Sequence, residues 1–207
     1  MIYLARTDSG VVVVDLGWLG AEGALRDGLR ELDATPDDVV AVFLTHSHRD
    51  HVRGWQAVRN ATFYVAAPEV PRLTGDEPHR GFVPKLVDRL MPPPLPKAGE
   101  LKMVTFTRDT SVVVGADTVR LFTVPGHTPG SAAYVLRGTL FGGDALARTP
   151  LYGFRSAKPA YSDDVARSRE SVRSLFERVA PYNVRTACTA HAKCAPFDET
   201  FRSAVLR

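Results

Sequence analysis

The sequence predicts an α+β fold, mixed β-sheet sandwiched by helices, on three observations. Short apolar runs recur between Gly, Asp and Pro turns, segments of helical period separate some of them, and run 39–44 is apolar on both faces. A strand of that last kind must be covered on two sides.

Tyr3-Leu4 and the run 11–14 flank an Asp8-Ser9-Gly10 turn, so the chain opens as a hairpin whose second strand ends at Asp15. Ala21, Ala24, Leu25, Leu29 and Leu32 share one helix face, with Arg26, Asp27, Arg30 and Glu31 outward. Thr35-Pro36-Asp37-Asp38 joins a capping hydroxyl to a Pro at the first helical position, which predicts a short helical turn before the buried strand 39–44. A helix over 51–59, a strand over 62–66 and a helix over 80–90 follow, the last bounded by Pro-rich segments at 68–78 and 92–96. Residues 68–98 thus read as a loop and helix insertion in one domain spanning 1–207, with Phe82, Val83, Leu86 and Leu90 as an apolar flap. Segments 101–107, 111–114, 118–124 and 132–141 read as strands, two of them closed by Pro125-Gly126-His127 and Gly142-Gly143-Asp144. Ser162-Asp163-Asp164 caps a long helix with Val165, Val172, Leu175, Phe176 and Val179 inward; a final strand over 184–189 and a helix over 198–206 complete the chain.

The 207 residues are 44% apolar and 24% charged, ordinary for a globular chain that buries a core without staples. No apolar run approaches the roughly 20 residues of a membrane-spanning helix. The first residues show no basic leader and apolar segment, so a cytoplasmic protein is expected. A net charge of +3 with scattered basic residues argues against nucleic acid as a partner. Two cysteines make no disulfide framework and fit a reducing compartment; Cys188 is expected in the core and Cys194 as a free thiol.

Five of the six histidines (His46, His48, His51, His127 and His191) lie at or just after predicted strand ends, as do Asp50 and Asp144. In an extended segment residues i and i+2 project to one side, so His46 and His48 converge on one ion, while Asp50 and His51 face a second where the chain turns helical. Imidazole and carboxylate donors suit Zn²⁺, and also Fe²⁺ or Mn²⁺. Seven candidate ligands are too many for one ion and fit two. A single histidine is better read as a hydrogen-bonded core or surface residue; four ligand-type residues within six positions are not.

Thr45-His46-Ser47-His48-Arg49-Asp50-His51 resembles the HxHxDH motif of the metallo-β-lactamase fold superfamily. The likeness continues in order with Asp15 closing an early strand, His127 in Pro125-Gly126-His127-Thr128-Pro129-Gly130, Asp144 after Gly143, and His191 near the end. It implies an αββα sandwich of two mixed β-sheets flanked by helices. It also implies two Zn²⁺ ions, one on His46, His48 and His127, the other on Asp50, His51 and His191, with Asp144 bridging. The resemblance further implies that Asp15 supports the ligand loops from below. The implied reaction is attack of a bridging hydroxide on a carbonyl or phosphoryl centre, Asp50 being the catalytic group that orients it or accepts the proton.

A small ester, lactone or thioester is the expected substrate, with its binding residues unassigned. Gly143-Asp144-Ala145-Leu146 is shared with the mononuclear iron persulfide dioxygenases, which makes that chemistry an alternative, as is a glyoxalase II-like thioesterase. A β-lactamase is disfavoured because Asp144 stands where the exported enzymes with a Cys ligand carry that Cys, and a non-catalytic binding module because all seven ligand positions are filled. Lys193 is a candidate anion contact, and His79, Tyr152 and Tyr161 are candidate proton donors. The resemblance also implies a strand before Ile2; without it a sheet edge is left that a second copy in a homo-oligomer could cover.

Overall fold

The computed structural model describes residues 1–91, 94–149, 153–156 and 158–207. One sheet holds β1 (Tyr3–Thr7), β2 (Gly10–Val14), β3 (Val39–Phe43), β4 (Thr62–Ala66) and β5 (Lys102–Phe106) in that order. The β1/β2 pair is antiparallel and the other pairs are parallel. After β6 (Thr110–Val114), β7 (Asp117–Thr123), β8 (Ala132–Leu136) and β9 (Thr139–Phe141), the chain makes a separate hairpin of β10 (Ala147–Thr149) and β11 (Gly153–Arg155). It ends the second sheet with β12 (Thr186–Cys188) and β13 (Ala195–Pro196), giving the order β13-β12-β9-β8-β7-β6. Only β12 and β9 run parallel there, so both sheets are mixed, as expected.

Side-chain alternation builds the layers. In β2, Val11 and Val13 point to one core while Val12 and Val14 point to another, all four buried. The first core lies under α1 (Ala21–Glu31), through Leu25 and Leu29, and takes in Trp55 and Phe63. The second fills the space between the sheets with Phe43, Leu121, Tyr134 and Phe141. A third lies under α5 (Val165–Arg178) and α6 (Glu199–Leu206), through Val172, Leu175, Phe176, Phe201 and Val205. Burial of each such aliphatic or aromatic side chain contributes about 1.5–3 kcal/mol. The αββα sandwich is therefore the way this pattern of doubly buried strands and one-faced helices satisfies itself.

Several expected elements differ in detail. The run 132–141 is two strands, because Arg137 and Gly138 both take positive φ and make a tight turn that pairs Leu136 with Thr139. The segment after His51 is a single α-turn, α2 (Arg49–Val52), followed by a 3₁₀ stretch at Arg53–Val58. The connection between β4 and β5 is the crossover that parallel neighbours require, and it carries α3 (Val70–Leu73) and α4 (Phe82–Leu90). Asp164 alone caps α5, accepting from Arg167 N at 2.9 Å. No helix among the described residues is long and apolar enough to cross a membrane.

Cys188 and Cys194 are joined in a disulfide, which corrects the reading of two separate thiols and removes its support for a reducing compartment. The cause is register: β12 and β13 are antiparallel with Ala187 opposite Ala195, so the next pair out is Cys188 and Cys194, with Cα atoms 4.1 Å apart.

Candidate metal centre

Four strands deliver the candidate ligands to one edge of the sandwich. β3 leads into the segment 44–48, β7 into the turn around His127, β9 into the 3₁₀ turn Gly143–Ala145 and β12 into the loop carrying His191. All seven residues named from sequence meet there. His46 Nε2, His48 Nδ1 and His127 Nε2 are 3.0, 3.0 and 3.2 Å from one another. Asp50 Oδ2 lies 3.5 Å from His51 Nε2 and 3.1 Å from His191 Nε2. Asp144 stands between the two groups, with Oδ2 3.8 Å from His127 Nε2 and Oδ1 3.7 and 3.2 Å from His51 and His191 Nε2.

The residues behind the rings decide which nitrogen faces inward. Thr45 donates its hydroxyl proton to Asp15 Oδ2 at 2.7 Å, so its oxygen accepts from His46 Nδ1 at 3.1 Å and leaves Nε2 as the free lone pair. His51 Nδ1 donates to Asp15 Oδ2 at 2.7 Å, and His127 Nδ1 donates to Ser162 Oγ at 3.1 Å, with the same result. Asp15 also accepts from Thr45 N at 2.8 Å, so the position read as a loop support orients both His51 and the segment before His46. It does so from a left-handed backbone conformation, φ 57°, which a short polar residue tolerates. Gly126 has φ 135°, and any Cβ there would meet Ser168 N at 2.2 Å; only glycine lets the His127 turn lie against the start of α5.

Electrostatics separate the groups. Burial, reinforced by neighbouring imidazoles, holds His46 and His48 well below the ordinary imidazole value, and burial lowers His127 as well. Burial also opposes charge on His51, yet Asp15 and Asp50 push it up to about 10, and Asp144 and Asp50 raise His191. Asp144 is buried too, which alone would raise it, but His191 and His51 hold it well below the carboxylate range.

These donors fit divalent metal. Three lone pairs aimed at one point match the about 3.3 Å spacing of nitrogens on a tetrahedral ion with bonds of about 2.0–2.1 Å. His51 Nε2 and Asp144 Oδ1 are buried without a well-aligned hydrogen bond, a cost of about 1–3 kcal/mol each that a cation offsets. Three sets, His46/His48/His127, His46/His51/Asp144 and Asp50/His51/His191, each bring their ligand atoms within 4.8 Å of one another.

A cavity of about 350 Å³ opens above, lined by Asp50, Asp144 and His191 on one side and Trp18, Val83, Pro84 and Val87 on the other. Lys158 Nζ reaches within 3.6 Å of Asp144 Oδ2, and Tyr161 is also at the wall. The flap reading holds for Val83 alone: on α4 the inward face is Val83, Pro84 and Val87, whereas Phe82, Leu86 and Leu90 face solvent. Tyr152 lies outside the described residues.

His79 is no proton donor at the mouth. It is buried, its Nε2 2.9 Å from Ser47 Oγ and its Nδ1 2.6 Å from Asp88 Oδ2. Ser47, His79 and Asp88 thus line up as nucleophile, base and orienting carboxylate would. Ser47, however, is buried and donates to Glu69 Oε1 at 2.6 Å, and neither it nor His79 lines the cavity. The row is a strut between the ligand loop and α4. Glu69, Lys158 and the strut were missed from sequence, since a carboxylate in a Pro-rich segment and a lone lysine carry no local pattern.

The model of the metallo-beta-lactamase superfamily matches residues 1–191. A probable metallo-hydrolase of Methanocaldococcus jannaschii is 36% identical over 58 residues, 28% of this chain and 29% of that one. That alignment therefore spans under a third of the relative. Among solved structures, the B3 metallo-beta-lactamase BLEG-1 superposes with a TM-score of 0.71 at 25% identity, covering 94% of this chain and 88% of its own. A metallo-beta-lactamase family protein of Thermus thermophilus gives a TM-score of 0.67 at 22% identity, covering 98% and 71%. A superfamily protein of Sulfolobus tokodaii gives 0.65 at 15%, covering 99% and 78%.

Proposed function

We propose that this chain, which belongs to the metallo-beta-lactamase superfamily, is a dinuclear zinc hydrolase acting on a small ester, lactone or thioester. The observation that carries the reading is Asp144, whose two oxygens face the two ligand groups. His46, His48 and His127 would hold one ion, Asp50, His51 and His191 the other. Bound there, two divalent ions supply a nucleophile at neutral pH and Lewis acidity for the carbonyl.

The chain's own residues do the rest. Trp18, Val83, Pro84 and Val87 face the ligands across the cavity and shed water around an apolar acyl group. Asp50, partly exposed at the cavity floor, orients the attacking group and takes its proton on its carboxylate. Lys158 sets a positive charge at the wall beside the place where the oxyanion develops. The cavity volume of about 350 Å³ supports a small molecule as substrate.

A second reading, β-lactam hydrolysis, is favoured by the 25% identity to BLEG-1 over nearly the whole chain. One experiment separates the readings: metal quantification in freshly purified protein, coupled to a screen of esters, lactones, thioesters, β-lactams and persulfides. About two zinc per chain with ester, lactone or thioester turnover is expected. Trace metal only would sink the proposal, and oxygen consumption with a persulfide would replace it with iron dioxygenase chemistry.

A further inference from the structure

Glu69 is 1% exposed, in the 3₁₀ turn Ala67–Glu69 that follows β4, and the described structure gives its carboxylate four hydrogen-bond donors. Oε1 accepts from Ser47 N at 2.8 Å and Ser47 Oγ at 2.6 Å. Oε2 accepts from Thr128 Oγ1 at 2.8 Å and Gly130 N at 3.0 Å. A buried carboxylate costs several kcal/mol unless its lone pairs are filled, so this one is kept at a place where it binds two loops at once.

The loops are the ones that matter. Ser47 lies between His46 and His48, and with alternation along an extended segment its side chain points away from theirs, back to Glu69. Thr128 follows His127 directly. One carboxylate therefore sets how far the first two imidazoles stand from the third, which the ligand residues cannot do for themselves. The approach is close enough to dictate a neighbour: a Cβ at residue 130 would meet Glu69 N at 2.4 Å, so glycine is required there. Three residues on, Arg72 repeats the grip, donating to Asp163 Oδ2 at 2.7 Å while Asp163 N donates to the His127 carbonyl.

We propose that Glu69 is the positioning residue of the three-imidazole group, the clamp that holds His46 and His48 in register with His127. The inference rests on the metal reading above, and its test keeps the two apart. Glu69→Gln preserves shape but turns one acceptor into a donor facing donors. Wild type and variant are titrated with Co²⁺ after metal removal, following the first-ion Kd and the visible Co²⁺ absorption, with circular dichroism and thermal unfolding of the metal-free proteins alongside. Glu69→Gln is expected to weaken the first Co²⁺ by about 10–100-fold and to shift its absorption bands. Ser47→Ala and Thr128→Val, each removing one side-chain donor, should move both readouts in the same direction by less. A merely structural role would lower the metal-free melting temperature and leave the spectrum of the loaded protein unchanged, which overturns the proposal. Should Glu69→Gln not fold, an unchanged Kd and spectrum in both Ser47→Ala and Thr128→Val overturn it equally. No Co²⁺ uptake by the wild type would bring down the metal reading and this clamp with it; uptake by wild type with unchanged variants brings down the clamp alone.

Discussion

The imidazoles of His46, His48 and His127 are buried, whereas His191, in the second group, is 41% exposed and sits in a left-handed backbone conformation, φ 60°. The enclosed group is braced by Thr45, Glu69 and the adjacent pair Ser162 and Asp163, which come from three different parts of the chain. The open group leans on Asp15 behind His51 and on a disulfide-closed hairpin around His191. The first group is fixed by its packed partners; the second is completed by a loop at the cavity wall. Affinity should therefore differ between them, the enclosed group holding its ion while the open one exchanges.

The strongest challenge to that contrast is Asp144→Ala, which removes the carboxylate both groups share. Metal content is expected to fall below two per chain and hydrolysis by at least about 100-fold, measured by elemental analysis and initial rates. His191→Ala should divide the groups more cleanly: one ion stays and one leaves, while His127→Ala should lose the tightly held one. Asp15→Asn, read by competition with a chelator, is expected to weaken the second ion by about 10–100-fold, because the ring it orients is His51.

Reduction of the disulfide, or Cys194→Ser, is expected to cost about 2 kcal/mol from the short loop it closes. A chain of this length then melts about 4–8 °C lower. Second-ion affinity should fall with it and first-ion affinity should not.

The smallest effect concerns acid. Asp88 on α4 is lowered: its partial burial works upward, but hydrogen bonds from His79 and Arg49 outweigh it. A depressed carboxylate stabilises the fold above its unfolded value and loses that contribution as pH falls through its folded value. The α4 wall should stay docked through the ordinary carboxylate range and loosen only in stronger acid, before the enclosed ligand loop opens, as hydrogen exchange on α4 against β3 would show.

The candidate ligand set was legible in sequence for a local reason. His46, His48, Asp50 and His51 lie within six positions, and strand alternation followed by one helical turn suffices to aim them. His127, Asp144 and His191 each follow a strand, β7, β9 and β12, and the superfamily resemblance placed them in the same order. The layered cores were legible too, since the run 39–44, apolar on both faces, can be buried only between two layers.

What escaped is whatever depends on contact across long stretches of chain. Glu69 meets Thr128 across 59 positions and His79 meets Ser47 across 32, and no periodicity encodes such pairs. The cysteines looked like one core residue and one free thiol until the register of β12 and β13 put them opposite each other.

The sequence by itself determined the fold class, the superfamily motif and which seven side chains gather, because spacing along strands and turns is a local property. Only the tertiary structure decided which imidazole nitrogen faces inward, which α4 residues wall the cavity, and that one group is enclosed while the other is open. Those outcomes are set by loops packed against one another, where the Asp15 carboxylate turns the His51 ring and the Glu69 carboxylate ties two ligand loops by bonds that distance in sequence conceals.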